Sequence, residues 1–555
     1  MSKVCGLIKN ELIKQYKKTS IKVIIILILI ATIVLPVALK VMNNRDHGNW
    51  QLENYKNQIQ WQQTEAKNID DSKKNSGIQK QFFEESIKNL QVSIDSNISW
   101  EDWRGEVLNG ASSKKKEAIL LSGILEGLSK EELFYNIHDF DIESFNDYYD
   151  MTKEEVTKEI DKKLKESSEL YATIDKNDYL GYLEKTIKFS NEEIKQGKEN
   201  IKLLEEQFSK DKENKKISDS LEDAKLQLLV MEERLEATKY RYDNKIPYDI
   251  KNWKNKTIKD IVYNIDRKGE KLLNEDMFKQ QYNYQIAKGL TYDEYKENFE
   301  TSKKTIEETI ALNWYSLENN MPQVNFSDDA RNSIDSTYLI YVNIAIILCI
   351  IVGGGIVSSE YSTGTVRLLM IRPVSRTKIL FSKLVTIFML GYGVLIATFI
   401  LNVIISGVVY GFGTLGTPII SFVNGAIVEK SYIISIIPKL LFSSISLIFI
   451  IAVVFTISTV IKNTALAVGL TTVGFLGSSA ALMVMAELNM KWVGKTIIPY
   501  VDLTKFVSGN YMVDMLTKEY GIALNSTMGA VQLLLIAAIL IVVSFLVFTK
   551  RDVTN

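Results

Sequence analysis

The stretch VIIILILIATIVLPVAL, residues 23–39, decides the fold class of this 555-residue chain. The apolar run is bracketed by Lys22 and Lys40, and with its flanks it is long enough to cross about 30 Å of hydrocarbon as a helix. We interpret it as a first membrane span. A cleaved signal peptide is the alternative, but the run exceeds the usual apolar region of such peptides and no small-residue cleavage site follows it cleanly.

Five further runs satisfy the same criterion, so the sequence predicts six membrane helices. The alternative is a set of buried core helices in a soluble protein, but such helices seldom continue this long without a charged residue. We therefore expect an all-α, polytopic membrane protein. The five runs are residues 338–357, 384–409, 440–461, 465–486 and 530–548.

The distribution of Lys and Arg predicts the orientation of these spans. Positive residues cluster before the first span, between the second and third spans, and after the sixth span at Lys550 and Arg551. All three clusters fall on one side, which the positive-inside rule identifies as cytoplasmic. Both termini are then cytoplasmic, and the long segment after the first span is extracellular.

A polar segment rich in Lys, Glu and Asn, residues 43–336, separates the first span from the second. Its few prolines and its abundant Lys, Glu, Leu and Ile favour helix. Heptad spacing of apolar residues predicts an antiparallel coiled-coil hairpin over about residues 180–243, with two solvated helices packed on the rest of the domain as the alternative. The repeating residues are Ile187, Ile194, Ile201 and Phe208, then Leu221, Leu228, Leu235 and Tyr242.

Composition excludes several function classes. The net charge of −1 and the lack of a nucleic-acid motif argue against nucleic acid as a partner. The chain has only two cysteines, Cys5 and Cys349, and two histidines, His47 and His138, so a disulfide framework and a Cys- or His-based metal site are not expected. We predict no catalytic residue, no bound cofactor and no metal site, and so a protein that is not an enzyme.

The six apolar runs contain no ionisable residue at their centres, so a proton or sodium gradient is not expected to drive transport. Asn343 and Asn402 are the most polar groups at depth, and we interpret both as interhelical hydrogen-bonding residues. Glycines in the second and fifth runs predict close helix packing. These are Gly353, Gly354, Gly355, Gly469, Gly474 and Gly477.

The connection between the second and third runs reads EYSTGTVRLLMIRPVSRTKILFSK, residues 360–383. Gly364 and Pro373 bracket a helix-sized segment with both apolar and cationic side chains, which could fit a groove in another subunit. The alternative is that its arginines only set the topology. The chain has no G-x-x-x-x-G-K-[ST] loop, so nucleotide hydrolysis of that kind would require a partner.

This connection resembles the loop of ABC-2-type transporter permeases, the membrane-spanning subunits of ABC exporters. The resemblance covers the six-span arrangement, the loop, and a last span that closes on residues 548–552. It implies that residues 359–383 form a coupling helix that contacts a separate ATPase, so that ATP acts only through that partner. The matching residues are Glu360, Gly364, Thr365, Arg367, Leu368, Leu369, Pro373, Ser375, Arg376 and Lys383.

The same resemblance implies a second permease subunit, in a homo- or heterodimer surrounded by membrane lipid, and an exported substrate that is hydrophobic or resembles a peptide or drug. Residues 1–20 look like the family's N-terminal connecting helix, an amphipathic helix in the inner interface; an ordinary cytoplasmic anchor is the alternative. The apolar face of this helix contains Val4, Leu7, Ile8, Leu12 and Tyr16.

The large insertion departs from compact ABC-2 permeases, whose first external loop is short. One span, a long helical external domain and five closing spans is similar to the phage-infection-protein group and type VII secretion accessory proteins, which act as surface receptors or scaffolds. The loop favours the exporter interpretation, by fold-level analogy. The expected segments are the interfacial helix 1–20, span 21–42, the extracellular domain 43–336, span 337–358, the coupling loop 359–383, and the remaining spans within 384–555.

Overall fold

A computed structural model describes residues 2–44, 48–98, 102–137, 140–287, 289–365, 374–507, 511–518 and 520–550. Contacts between residues divide the chain into two compact units. The membrane unit comprises Met1–Asn43 and Glu270–Asn555, and the insert unit comprises Asn44–Gly269.

Helices make up nearly all of the regular structure in both units. The chain begins with α1 (Ser2–Lys17) and α2 (Thr19–Asn44). The insert unit then contains α3 (Gly48–Lys67), α4 (Ser76–Asp95), α5 (Trp103–Leu125), α6 (Lys130–Leu133), α7 (Asn146–Tyr149), α8 (Lys153–Lys176), α9 (Tyr179–Lys210), α10 (Lys215–Asp243) and α11 (Trp253–Lys268). The membrane unit continues with α12 (Glu275–Gln281), α13 (Asn283–Ala287), α14 (Tyr292–Glu318), α15 (Ala330–Ile356), α16 (Ser358–Ser362), α17 (Arg376–Tyr410), α18 (Tyr432–Ser443), α19 (Ile445–Ile461), α20 (Thr464–Glu487), α21 (Tyr511–Lys518) and α22 (Ser526–Lys550).

The predicted helical hairpin is present in the insert unit. Helices α9 and α10 pack against each other, and all eight residues of the two heptad series are buried or half-buried. Ion pairs join the arms on the outside, with Lys198 Nζ 2.7 Å from Glu232 Oε1 and Lys225 Nζ 2.6 Å from Glu205 Oε1. The apolar seam and the flanking charges are those of a two-helix coiled coil, which confirms the prediction.

A second core in the insert unit lies where α5 packs against α8. Leu120, Leu121 and Leu133 are fully buried there. The rings of Phe134 and Phe145 meet edge to face with centroids 5.4 Å apart. Burial of these side chains gives the insert unit a hydrophobic core of its own.

Six helical segments of the membrane unit are long and apolar enough to cross a membrane, as predicted. The apolar window of span two is 72% buried and that of span four is 61% buried, whereas those of the other spans are 22–33% buried. Spans two and four therefore form the centre of the bundle. The spans are Thr19–Asn43, Ala330–Ser362, Arg376–Tyr410, Tyr432–Ile461, Thr464–Glu487 and Ser526–Lys550.

Small and polar side chains allow these central helices to approach closely. A Cβ atom added to Gly353 would lie 2.6 Å from the Val454 side chain, so span two packs directly on span four, as predicted. Asn402 in span three donates a hydrogen bond of 2.9 Å to Thr337 Oγ1 in span two. Asn402 thus forms the expected interhelical hydrogen bond, although its partner could not be read from the sequence. The same prediction for Asn343 is not supported, because its buried Oδ1 has no hydrogen-bond partner within the described residues.

The glycines of span five do not behave as predicted. A Cβ atom added to Gly469, Gly474 or Gly477 would meet nothing within 4 Å. Close packing through these positions is therefore absent within the described chain. The sequence marks them as small but does not say which face of the helix meets a neighbour.

The predicted external segment is divided between the two compact units, because residues 270–329 pack with the membrane unit. Tyr284 donates a hydrogen bond of 3.3 Å to Glu487 at the end of span five. Tyr315 donates one of 2.7 Å to Glu429 in the connection between spans three and four. These contacts join segments far apart in the sequence, so the uniform polar composition of residues 43–336 could not reveal the division.

One β-hairpin lies in the connection between spans three and four. Strands β1 (Ile419–Val423) and β2 (Ala426–Lys430) pair antiparallel. Asn424 and Gly425 form the turn with φ angles of 51° and 82°, which glycine and asparagine adopt most readily. The Asn-Gly pair is a sequence signal for such a turn, but this hairpin was not predicted.

Candidate functional site

The predicted coupling loop runs from the end of α16 to the first turns of α17. Of the residues that carry the family resemblance, Glu360, Gly364, Thr365, Ser375, Arg376 and Lys383 are described. Arg367, Leu368, Leu369 and Pro373 lie outside the described residues. The site is therefore built from the two ends of the loop.

An ion pair between Glu360 and Lys383 joins these two ends. Lys383 Nζ lies 3.1 Å from Glu360 Oε1, and the two side chains are only 1% and 4% exposed. Thr365 Oγ1 donates a hydrogen bond of 2.8 Å to the other carboxylate oxygen, Oε2. A buried ion pair persists only where additional hydrogen bonds satisfy its atoms, and Thr365 supplies one of them.

Helix α1 contributes two further charges to the same cluster. Lys14 forms an ion pair with Glu360, and Lys383 Nζ also lies 3.1 Å from Glu11 Oε1. Two carboxylates and two ammonium groups thus alternate, so their formal charges cancel. We call Glu11, Lys14, Glu360 and Lys383 the loop-base cluster. It connects the N-terminal helix, the end of span two and the start of span three.

The packing of α1 explains how Glu11 reaches the loop. Helix α1 packs on α17. Leu7, Ile8 and Leu12 are half-buried as the apolar periodicity predicts, but Tyr16 is 62% exposed. Glu11, one turn beyond Leu7 and Ile8, is drawn into the buried face because Lys383 lies opposite it. The amphipathic pattern predicted the helix but treated its acidic residue as solvated.

Burial also changes the electrostatics at the junction between α1 and α2. It lowers the pKa of the Lys18 ammonium below its ordinary value, and the positive charges of Lys14 and Lys383 lower the pKa further. Gln15 is 1% exposed, and its Oε1 has no hydrogen-bond partner within the described residues. Positive charge is therefore crowded around the two carboxylates.

The other described loop residues shape the chain or anchor it. Gly364 has φ +72°, a left-handed conformation that favours glycine just after a helix ends. Ser375 precedes α17 in an extended conformation without a side-chain capping hydrogen bond. Arg376 Nη1 donates a hydrogen bond of 3.3 Å to the carbonyl oxygen of Thr549, at the end of span six. Arg376 therefore connects the loop to a second part of the bundle rather than to the loop-base cluster.

The sequence identified Glu360 and Lys383 through the family resemblance, but it did not identify Glu11 and Lys14. Their contacts cross more than 300 positions of sequence, and no local pattern encodes them. Within the part of the chain that the structure describes, no group of three His, Cys, Asp or Glu residues could hold a metal ion. The arrangement brings opposite charges together at the base of the loop.

Comparison with known proteins finds a family model that matches part of the chain and similar proteins in Bacillus subtilis. Residues 309–554 match the family described as "Protein of unknown function (DUF2705)". The chain is 29% identical over 259 residues to "Uncharacterized protein YhcI" of Bacillus subtilis (strain 168), covering 46% of this chain and 78% of that protein. It is 27% identical over 207 residues to "Uncharacterized membrane protein YdbK" of the same organism, covering 37% of this chain and 76% of that protein. No solved structure matches the chain.

Proposed function

We propose that this chain is the membrane-spanning permease subunit of an ATP-driven ABC exporter. The observation that carries the proposal is the loop-base cluster, which joins both ends of the coupling loop to α1 through buried charges. A separate ATPase subunit binds the loop and supplies the energy, so this subunit has no nucleotide-binding loop of its own. The resemblance to ABC-2 permeases provides the second line of support.

The cluster suits the transmission of force. Opposite charges attract strongly when water is excluded, so a push on the loop moves the end of span two, the start of span three and α1 together. Span two is also the most buried of the six spans, so its displacement would alter packing throughout the bundle. A loop that served only to orient the protein would not require buried ion pairs at its base.

The polar groups inside the bundle support an external energy source. At depth, spans two and three are joined by neutral groups: Asn402 bonds Thr337, and the hydroxyls of Ser333 and Ser406 lie 3.0 Å apart. Neutral hydrogen-bonding groups hold helices together but do not exchange protons near neutral pH. Motion must then be imposed at the loop rather than by ion binding within the membrane.

The proposal includes a topology and partners. Both termini are cytoplasmic, the insert unit is extracellular, and a second permease subunit completes a homo- or heterodimer within membrane lipid. The substrate is hydrophobic or resembles a peptide or drug. The second candidate function is a surface receptor or scaffold, which is favoured by the size and separate core of Asn44–Gly269.

Site-specific crosslinking distinguishes the two functions. Cys5, the exposed native cysteine, is first replaced by serine; Cys349 is buried and remains. A single cysteine at Thr365 in the loop, or at Asn424 in the turn of the β-hairpin as a control, is then introduced into tagged protein in the native host. We expect a thiol-directed crosslinker to join Thr365→Cys, but not Asn424→Cys, to an ATPase that copurifies.

Recovery of the chain without any ATPase, or equal crosslinking from both positions, would contradict the permease proposal. Crosslinking of an extracellular protein to the insert unit in the absence of an ATPase would instead support the receptor.

A further inference from the structure

A second charged site lies near the start of span two, remote from the loop-base cluster. A cavity of about 250 Å³, here called the rim pocket, is lined in part by Gln323, Asp335, Pro418, Tyr432, Ser435 and Lys439. Asp335 is near the start of span two, whereas Glu360 lies at its other end, roughly 35 Å away along a helix. The rim pocket and the coupling loop are therefore at opposite ends of the spans.

The pocket is lined by one acidic and one basic side chain that do not form an ion pair with each other. Within the described residues, the carboxylate of Asp335 and the ammonium of Lys439 form no hydrogen bond or ion pair, either with each other or with another side chain. Both residues are only partly exposed. Charges withdrawn from water without a partner are costly, so an occupant that pairs with both would be favoured.

The walls of the pocket are held in place by Arg331, which is fully buried. Its guanidinium donates hydrogen bonds of 2.9 Å to Pro322 O and of 3.3 Å to Pro418 O, and it pairs with Asp329 at 2.7 Å. Tyr432 donates a hydrogen bond of 2.9 Å to the carbonyl oxygen of Arg331. These bonds fix three separate segments around one cavity, so the pocket is formed in advance of any ligand.

The position of the two charges indicates where the ligand comes from. Asp335 is five residues after the start of span two at Ala330, and Lys439 is seven residues after the start of span four at Tyr432. These spans have 33 and 30 residues, more than the about 20 that cross the hydrocarbon, so both charges lie near the boundary between hydrocarbon and polar headgroups. The cavity is also smaller than the roughly 300–1,000 Å³ of sites for drug-sized ligands. A lipid headgroup fits both its depth and its size.

We propose that the rim pocket binds a zwitterionic lipid headgroup that carries a primary ammonium and a phosphate. The ammonium pairs with Asp335 and can donate further hydrogen bonds to the oxygens of Ser435 and Gln323, while the phosphate pairs with Lys439. A quaternary ammonium has no proton to donate, and a headgroup that is only anionic is repelled by Asp335. The site is thus selective for phosphatidylethanolamine, and this inference does not depend on the transport function.

Native mass spectrometry of the purified full-length protein tests the proposal directly. The protein in detergent is given equal amounts of phosphatidylethanolamine, phosphatidylcholine and phosphatidylglycerol with identical acyl chains. We expect about tenfold preferential retention of phosphatidylethanolamine, the effect of charge-assisted hydrogen bonds that the other two lipids lack. Equal retention of the three lipids by the wild-type protein would overturn the proposal without recourse to any variant.

Matched variants assign the preference to the pocket. Asp335→Asn should abolish the preference, and Lys439→Gln should weaken retention of all three lipids because each carries a phosphate. Asp328→Asn and Lys430→Gln, which change exposed charges outside the pocket lining, should change neither the preference nor the retention. A preference that survives Asp335→Asn would overturn the assignment.

Competition with soluble glycerophosphoethanolamine tests whether the acyl chains of the lipid are needed for binding. The soluble compound should compete with the lipid only weakly because it lacks acyl chains to hold it at the membrane boundary. Binding of the soluble compound without any preference among the lipids would show that the pocket takes a dissolved zwitterion, and would contradict the lipid assignment.

Discussion

Removal of either charge of the Glu360–Lys383 pair should destabilise the membrane unit far more than removal of Lys14. The first two side chains are 4% and 1% exposed, whereas that of Lys14 is 48% exposed. Loss of one partner from a buried pair costs about 3–5 kcal/mol, because the other charge stays buried. An exposed ion pair contributes only about 0–1 kcal/mol. We therefore expect Lys383→Met to lower the free energy of unfolding by about 3 kcal/mol. This value is at the low end of the range because Lys14 still neutralises Glu360. Lys14→Met should lower the free energy of unfolding by less than about 1 kcal/mol.

A double-mutant cycle separates the pair from general disruption. The variant with both Glu360→Gln and Lys383→Met contains neither buried charge, so its loss should be smaller than the sum of the two single losses by about 1–3 kcal/mol. Unfolding of the purified protein in mixed micelles with increasing dodecyl sulfate, followed by circular dichroism, measures each free energy. Losses that add to within about 0.5 kcal/mol would refute the inference that these residues stabilise each other.

The insert unit provides three more tests. Expressed alone, Asn44–Gly269 should give a circular dichroism spectrum dominated by helix, and a spectrum dominated by strand would contradict the fold. Ile201→Ala should lower the free energy of unfolding by about 2–4 kcal/mol because Ile201 is 9% exposed, whereas Leu203→Ala, at a 58% exposed position, should change it by less than about 0.5 kcal/mol; equal losses would show that the heptad face is not the packed face. Protease added outside intact cells should cleave this unit, and cleavage only in inside-out vesicles would reverse the proposed topology.

The sequence predicted the membrane helices and the hairpin because both depend on local patterns. An apolar run such as residues 23–39 is long enough to identify a span without knowledge of its neighbours. The heptads around Ile194 and Leu235 likewise specify which face of each helix is buried. For the spans and the helical hairpin, the structure confirmed these local patterns.

Features that depend on distant contacts were not predicted. Residues 270–329 have the composition of the insert but pack with the spans, because Tyr284 and Tyr315 bond to carboxylates far along the chain. For the same reason the sequence indicated Glu360 and Lys383 but not Glu11. A carboxylate on an amphipathic helix is usually solvated, and only the position of Lys383 opposite it makes this one part of the site.

The proposed function requires that the loop couple this chain to an ATPase, and Arg376 tests that role. Its guanidinium contacts the end of span six, whereas Lys378, two residues further along α17, is exposed and provides a matched control. ATP hydrolysis is measured on the complex purified from native membranes and normalised to the amount of protein.

We predict that Arg376→Glu lowers this rate about tenfold with the ATPase still bound, because it removes the hydrogen bond that connects the loop to the end of span six, and that Lys378→Glu leaves it unchanged. Purification without an ATPase, or the same rate in both variants and the wild type, would contradict the coupling role of this loop.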